Sequence, residues 1–530
     1  MLFTSYSFIG FLAVLFLLCY TIPTKYRRAL LLVANFCFYY IADPRYIPFI
    51  VATILSIWYA GIRIGDNWLA QERGLAEMDF PDREAKKAYR EAQKKTRKRW
   101  VIAALLFNLG IMAVIKYTNF VIYNINGVLG AAGSTQQLSF VNIIMPMGIS
   151  FYTFQALSYL FDVNRGTCEA ERSLPRFALF VSFFPQLVQG PISRYPDLAQ
   201  TLYNEDPFDK KNLYFGLQRM LWGYFKKLLV ADRMLALVRT VTGDPSTYHG
   251  SYALVAMLFY CIGLYADFTG GIDITIGVAE CLGIKLQENF NLPYFSDSLA
   301  EFWRRWHMSM SSWFREYMFF PLSTSRPMGR FAKFVKTHFG NALGKRLPLY
   351  LSSFIVWFAT GIWHGASWNF IFWGLANWAI LMLSQELEGF YSGMRERYAF
   401  FRTSTFKVIA VIRTFLLLAL LNFIDCYLNI IHMFKTFLSI FTTSNYHLLF
   451  DGSMLKLGMS GPDFIAALAG SLVMLAVGLM QVKGGSIREM VAQKPPAFRF
   501  VFWYGMFLIV LIFGAYGVGY DASQFVYNQF

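Results

Sequence analysis

Charge is what this 530-residue chain has least of: Asp, Glu, Lys and Arg together make up 15% of it, against 56% apolar residues and 18% aromatics. So little charge cannot cover a soluble globule, and the balance marks a polytopic, all-α integral membrane protein. Cysteine is sparse too. Cys19, Cys37, Cys168, Cys261, Cys281 and Cys426 are scattered, with no CxxC pair and no histidine at ligand spacing, so neither a disulfide framework nor a structural zinc is indicated. There is no GxSxG elbow, Walker loop, HExxH or DxD cluster, which leaves serine hydrolysis, ATP-driven transport and metal chemistry without a positive signal. Residues 8–20 are apolar but follow no basic n-region and precede no clear small-residue cleavage site, so they read as a first membrane helix. No internal repeat and no soluble domain is visible. The expectation is one polytopic domain over 1–530.

What charge there is leans positive, +16 net, and it sits mainly in short loops beside apolar spans. That is topology and lipid electrostatics; nucleic acid is not the implied partner. Lys25, Arg27 and Arg28 follow the first span, which puts the N-terminus outside. Residues 29–40 and 46–62 read as the next spans, joined at Asp43-Pro44. A hydrophilic stretch follows at 66–99; its part from Lys86 to Arg99 carries eight basic residues against Glu91 alone, and reads as a helical cytoplasmic arm on anionic headgroups. Residues 101–125 cross outward, 126–142 form an uncharged outer loop, 145–161 return, and 177–188 are too short to cross cleanly. Segments 324–346 and 386–407 are basic and cytoplasmic. Spans at 406–422, 424–440, 464–480 and 500–516 complete the pass, with ten to twelve crossing or re-entrant helices in all and both termini extracytoplasmic in the plasma membrane.

Three stretches carry the chemistry. Residues 347–384 would form a helix about 57 Å long, far beyond a ~30 Å hydrocarbon core. The run must therefore turn or break, and His364, flanked by Gly361 and Gly365, lies at the natural break. It is also the only side chain there that titrates near neutral pH. It reads either as a neutral histidine hydrogen-bonded in the bundle or as a functional group. Residues 299–322 read as a helix with one aromatic stripe, Phe302, Trp306, Met310, Trp313 and Tyr317, with Glu301–Arg305 and His307–Ser311 at i, i+4 spacing. It suits an interfacial helix or one dipping into the bundle. At 266–273, Asp267 and Asp273 around Gly270-Gly271 imply a distorted helix facing a polar cavity, or a helix end at an interface. A histidine can take a proton from a hydroxyl and return it to a leaving group, and a tryptophan-rich wall keeps a thioester from bulk water.

ENFNLPY at 288–294, EFWRRWH at 301–307 and WHG at 363–365, with 145–165 and 183–192, resemble the signature run of membrane-bound O-acyltransferases. The likeness covers most of the chain and is strongest to alginate-type O-acetyltransferases and the D-alanyl transfer protein of teichoic acid modification. It implies a multi-helix bundle of tilted transmembrane and re-entrant helices around a central tunnel. A cytoplasmic thioester would enter on one side and an acceptor hydroxyl on the other. The donor would be acyl-CoA, most simply acetyl-CoA, or an acyl group on a phosphopantetheine carrier, with no resident cofactor or metal. The family's signature histidine maps onto His364 as general base, and its second histidine onto His307. Trp303, Trp306 and Trp368 would wall the tunnel. Asn289, Asn291, Arg304 and Gln155 lie in the matched motifs and, with Arg315, Asp273 and Asn369, are the substrate-binding candidates. Gly270-Gly271-Ile272-Asp273 departs from the family's Gly-Tyr-Ser-Asp. The terminal FVYNQF, in a tail at 520–530, resembles a terminus of this family or of its small partner subunits, where the tyrosine is proposed to take the acyl group and hand it outward, which would make Tyr527 a relay; otherwise it is an interfacial anchor.

The resemblance implies O-acylation of a cell-surface polysaccharide through an extracytoplasmic partner transferase. D-alanyl transfer to teichoic acid is the near alternative. A channel or secondary transporter with histidine proton relays is the alternative of another class.

Overall fold

A computed structural model describes residues 3–205 and 209–515; Tyr527 and the tail expected around it lie outside the described residues. Every regular element among the described residues is helical, as lipid requires of a backbone that must satisfy its own hydrogen bonds. Among the described residues, six helices are long and apolar enough to cross a bilayer, and a seventh span forms if Trp368–Glu386 and Glu388–Arg397, bent by 46°, count together. The chain forms two compact units, Met1–Leu213 with Ala279–Gln287, and Tyr214–Val278 with Glu288–Phe530.

In the first unit, helices Tyr6–Thr21 and Arg27–Ala42 lead into Ile47–Glu77 and Arg83–Ala131. The basic arm is not a separate element. Arg83–Ala131 runs unbroken for 49 residues, about 74 Å, so its basic first third must project beyond the hydrocarbon. One cation of the arm turns inward instead: Arg97 is buried, donates to Asn67 and Gln71 at 2.9 and 3.0 Å, and lies 3.7 Å over the Trp68 ring. The stretch expected to be too short to cross is two short buried helices, Leu174–Ser182 and Phe184–Gln189, meeting at Phe183. Gln155, on the helix Ile149–Arg165, is held here by the Phe180 carbonyl at 2.7 Å.

In the second unit, the helix Ser251–Cys281 runs straight through Gly270-Gly271, so the expected distortion is absent from it. It lies in the facing chain, where Phe225–Ala231 winds as a π-helix. A Cβ on Gly223 would lie 2.6 Å from the Gly270 carbonyl, and one on Gly270 2.9 Å from that of Gly223. Only glycine lets the two backbones come this close. The approach brings Lys227 to Asp267 and Asp232 at 2.7 and 2.8 Å, and Lys226 to Asp273 at 2.6 Å. Arg219 bridges Asp273 at 3.0 Å and Glu288 at 2.6 Å. The two aspartates therefore meet lysine and arginine side chains where a polar cavity was expected, and Lys226 and Lys227 are themselves buried.

Two further expectations change. Residues 424–440 do not span: the helix there is Ile430–Thr442, 13 residues or about 20 Å, too short for a ~30 Å core. Residues 299–322 are not one helix. Leu299–Arg305 and Met308–Phe314 are separated at His307 and followed by a π-turn at Arg315–Phe319. All five stripe residues are nonetheless buried, and Glu301–Arg305 pair at 2.7 Å.

Candidate active site

The helix Asn341–His364 ends at His364, and the chain turns back into Trp368–Glu386. The two helices touch through glycine: a Cβ on Gly361 would sit 2.6 Å from the Phe370 carbonyl, and one on Gly374 2.5 Å from that of Trp357. That contact fixes the hairpin and sets His364, partly exposed, at its tip. Its imidazole is ringed by Trp373 at 4.6 Å, Trp363 at 5.0 Å and Phe370 at 6.5 Å between centroids. Trp303 extends this wall, edge-on to Trp373 at 5.6 Å and Trp357 at 5.0 Å. Its indole N–H donates to Asn377 at 3.1 Å, which locks the Leu299–Arg305 helix onto the hairpin.

His307 is fully buried and stands at the helix break with φ +46°. Left-handed geometry at a non-glycine residue costs about 1–3 kcal/mol and persists only where surroundings enforce it. Here the 289–291 segment enforces it. The Asn291 N–H donates to the Arg305 carbonyl at 3.0 Å, and the Met308 N–H to the Asn289 carbonyl at 2.9 Å. The Asn289 side-chain oxygen accepts from the Ser309 N–H at 3.0 Å and the Ser309 hydroxyl at 2.9 Å. A backbone N–H can only donate, so that oxygen is fixed as an acceptor, and His307 Nδ1, 3.3 Å away, carries the hydrogen. Nε2 is then the lone-pair nitrogen of a neutral ring. His307 lies outside the long apolar helices, and burial pushes its pKa down to about 3. It is a weak proton acceptor, suited to orientation and hydrogen bonding.

Trp363 joins the two histidines, 6.3 Å from His307 and 5.0 Å from His364. Phe268 packs on His307 at 4.9 Å and on Trp306 at 5.9 Å. The structure thus brings His364, His307, Trp303, Trp306 and Asn289 into one aromatic-walled assembly. Asn369 is fully buried in the first turn after His364; it accepts from Ser367 and donates to the Ile424 carbonyl at 3.4 Å. The other candidates stand elsewhere. Asn291, Arg304, Arg315 and Trp368 are exposed, Arg304 reaching Glu301 at 3.3 Å. Asp273 is bound by Lys226 and Arg219, and Gln155 belongs to the first unit. The Ser311 hydroxyl turns to the Trp306 carbonyl at 3.4 Å, not to the His307 ring. The sequence reading missed Trp373, whose ring lies 4.6 Å from that of His364, although its place nine residues on, in an apolar aromatic run, was a usable signal. It also missed Ser309, whose partner lies 20 residues away.

Fold and site define the class: an all-α membrane protein whose partly exposed histidine ends a helix against tryptophans. Residues 170–426 match the model of MBOAT, the membrane-bound O-acyltransferase family. Over 390 residues the chain is 31% identical to the probable alginate O-acetylase AlgI of Azotobacter vinelandii, covering 73% of this chain and 69% of that protein. A Pseudomonas aeruginosa protein of the same description is 32% identical over 71% of this chain and 64% of its own length. The Bacillus subtilis teichoic acid D-alanyltransferase is 28% identical over 52% and 67%. The match thus spans less than two thirds of the Pseudomonas relative and little more of the other two. The chain belongs to the membrane-bound O-acyltransferase family and is an acyltransferase by that membership.

Proposed function

We propose that this protein moves an acetyl group from a cytoplasmic thioester to a hydroxyl of a cell-surface polysaccharide, with His364 as the general base. The observation that carries the reading is His364 itself, partly exposed at a helix end and walled by Trp373 and Trp363, in a chain similar to alginate O-acetylases. In the proposed step, His364 accepts the hydroxyl proton as the oxygen bonds to the acyl carbon. The carbon–sulfur bond then breaks, and the imidazolium returns the proton to the departing thiolate. His307 orients neighbouring groups through Asn289. Acetyl-CoA is the proposed donor, and a partner transferase beyond the outer face delivers the group to the polymer, with Tyr527 as a relay. Multi-pass placement in the plasma membrane with both termini outside agrees with the basic segments at 324–346 and 386–407.

Mass analysis of surface polysaccharide from cells with and without the gene tests this reading. Loss of +42 Da O-acetyl substituents is expected. Loss of D-alanine instead would make the donor a carrier-bound D-alanyl thioester. An unchanged polymer would contradict the proposal.

A further inference from the structure

We propose that Asp425 is an acceptor-binding residue that holds the hydroxyl His364 deprotonates; this rests on the acyl-transfer reading above. Asp425 lies in the single 3-10 turn Ile424–Cys426 that ends the helix Ser404–Phe423. The turn is fastened to the His364 hairpin by Asn369, whose side chain donates to the Ile424 carbonyl at 3.4 Å. Phe370, the next residue, stacks on His364, and Trp373 meets it at 4.6 Å. Among the buried polar atoms with no hydrogen-bond partner among the described residues are Asp425 Oδ1, in this turn, and Trp373 Nε1, on the hairpin. One accepts and the other donates. A buried polar atom left unmatched costs about 1–3 kcal/mol, and a hydroxyl beside His364 can match both: its O–H donates to Asp425 before passing to the base, and its oxygen accepts from the Trp373 N–H.

Charge selects which substrate Asp425 meets. The helices Asn341–His364 and Ser404–Phe423 both start in or beside cation-rich segments and run toward ends that carry no Lys or Arg. The phosphates of a thioester carrier find no cation there, whereas a neutral hydroxyl, whether from a saccharide or from the phenol of Tyr527, finds an acceptor it can bond.

The test uses membranes from cells expressing the full chain, given [14C]acetyl-CoA, with label read in polymer and in free acetate. Asp425→Leu is expected to lower polymer label at least 10-fold while acetate release holds or rises, because water still reaches the thioester. Asp425→Asn, which keeps an accepting oxygen, recovers a substantial part. Polymer label unchanged in both variants, or both labels falling together, overturns the assignment. A wild-type chain that labels no polymer overturns the acyl-transfer reading itself. If Tyr527→Phe loses polymer label as Asp425→Leu does, the bound hydroxyl is the phenol; if it keeps it, the hydroxyl is the saccharide's.

Discussion

Two polar places in the second unit solve the same problem in opposite ways. At Lys227, charge is met by charge: its ammonium lies 2.7 and 2.8 Å from Asp267 and Asp232, and all three side chains are 0–6% exposed. At His364, the titratable group is set among rings and left partly open. A closed ion cluster offers no free base to a substrate and serves to hold the π-helix against Ser251–Cys281. An imidazole between tryptophans can exchange a proton. The difference separates polar residues that build the bundle from those that act in it.

Lys227→Met should break the first place most severely. It leaves two buried carboxylates without their cation, at a cost of about 3–5 kcal/mol, read as lost folded yield and a lower melting temperature in detergent. Adding Asp232→Leu and Asp267→Leu should recover most of that loss; no recovery would mean the cluster does more than fill space with matched charge. Gly361→Val comes next. Its new side chain meets the Phe370 carbonyl, so a loss of about 1–3 kcal/mol is expected, with acetyl transfer falling alongside melting temperature because the hairpin that carries His364 spreads.

A smaller effect is expected at His307. Its pKa of about 3 in the folded chain lies below the ordinary 6.5, so between those values the unfolded chain binds the extra proton. Stability therefore falls as pH drops from about 6.5 toward 3. His307→Asn should flatten the dependence of melting temperature on pH between 6.5 and 4.5, and an unchanged slope would show that the buried ring is not its source. Arg305→Ala should matter least, about 0.5 kcal/mol or less, since its pair with Glu301 is part-exposed.

His364 was legible because length alone forbids 347–384 from being one span, and the glycines mark the turn. The Glu301–Arg305 pair was legible because helix spacing dictates it. The break at His307 was not: Asn289, 18 residues earlier, supplies the acceptor that stabilises it, and local periodicity carries no trace of that. The Asp267–Asp273 stretch misled for the same reason, since its cations lie 40 and 47 residues upstream. Contacts within one helix turn show in sequence; charge pairing across helices depends on packing that periodicity does not encode.

The most direct test of the central claim is [14C]acetyl transfer by membranes carrying His364→Ala, with folding verified by melting temperature. The account predicts a loss of about 10²–10⁴-fold in label reaching the polymer from a protein that remains folded. Transfer at the wild-type rate would contradict it.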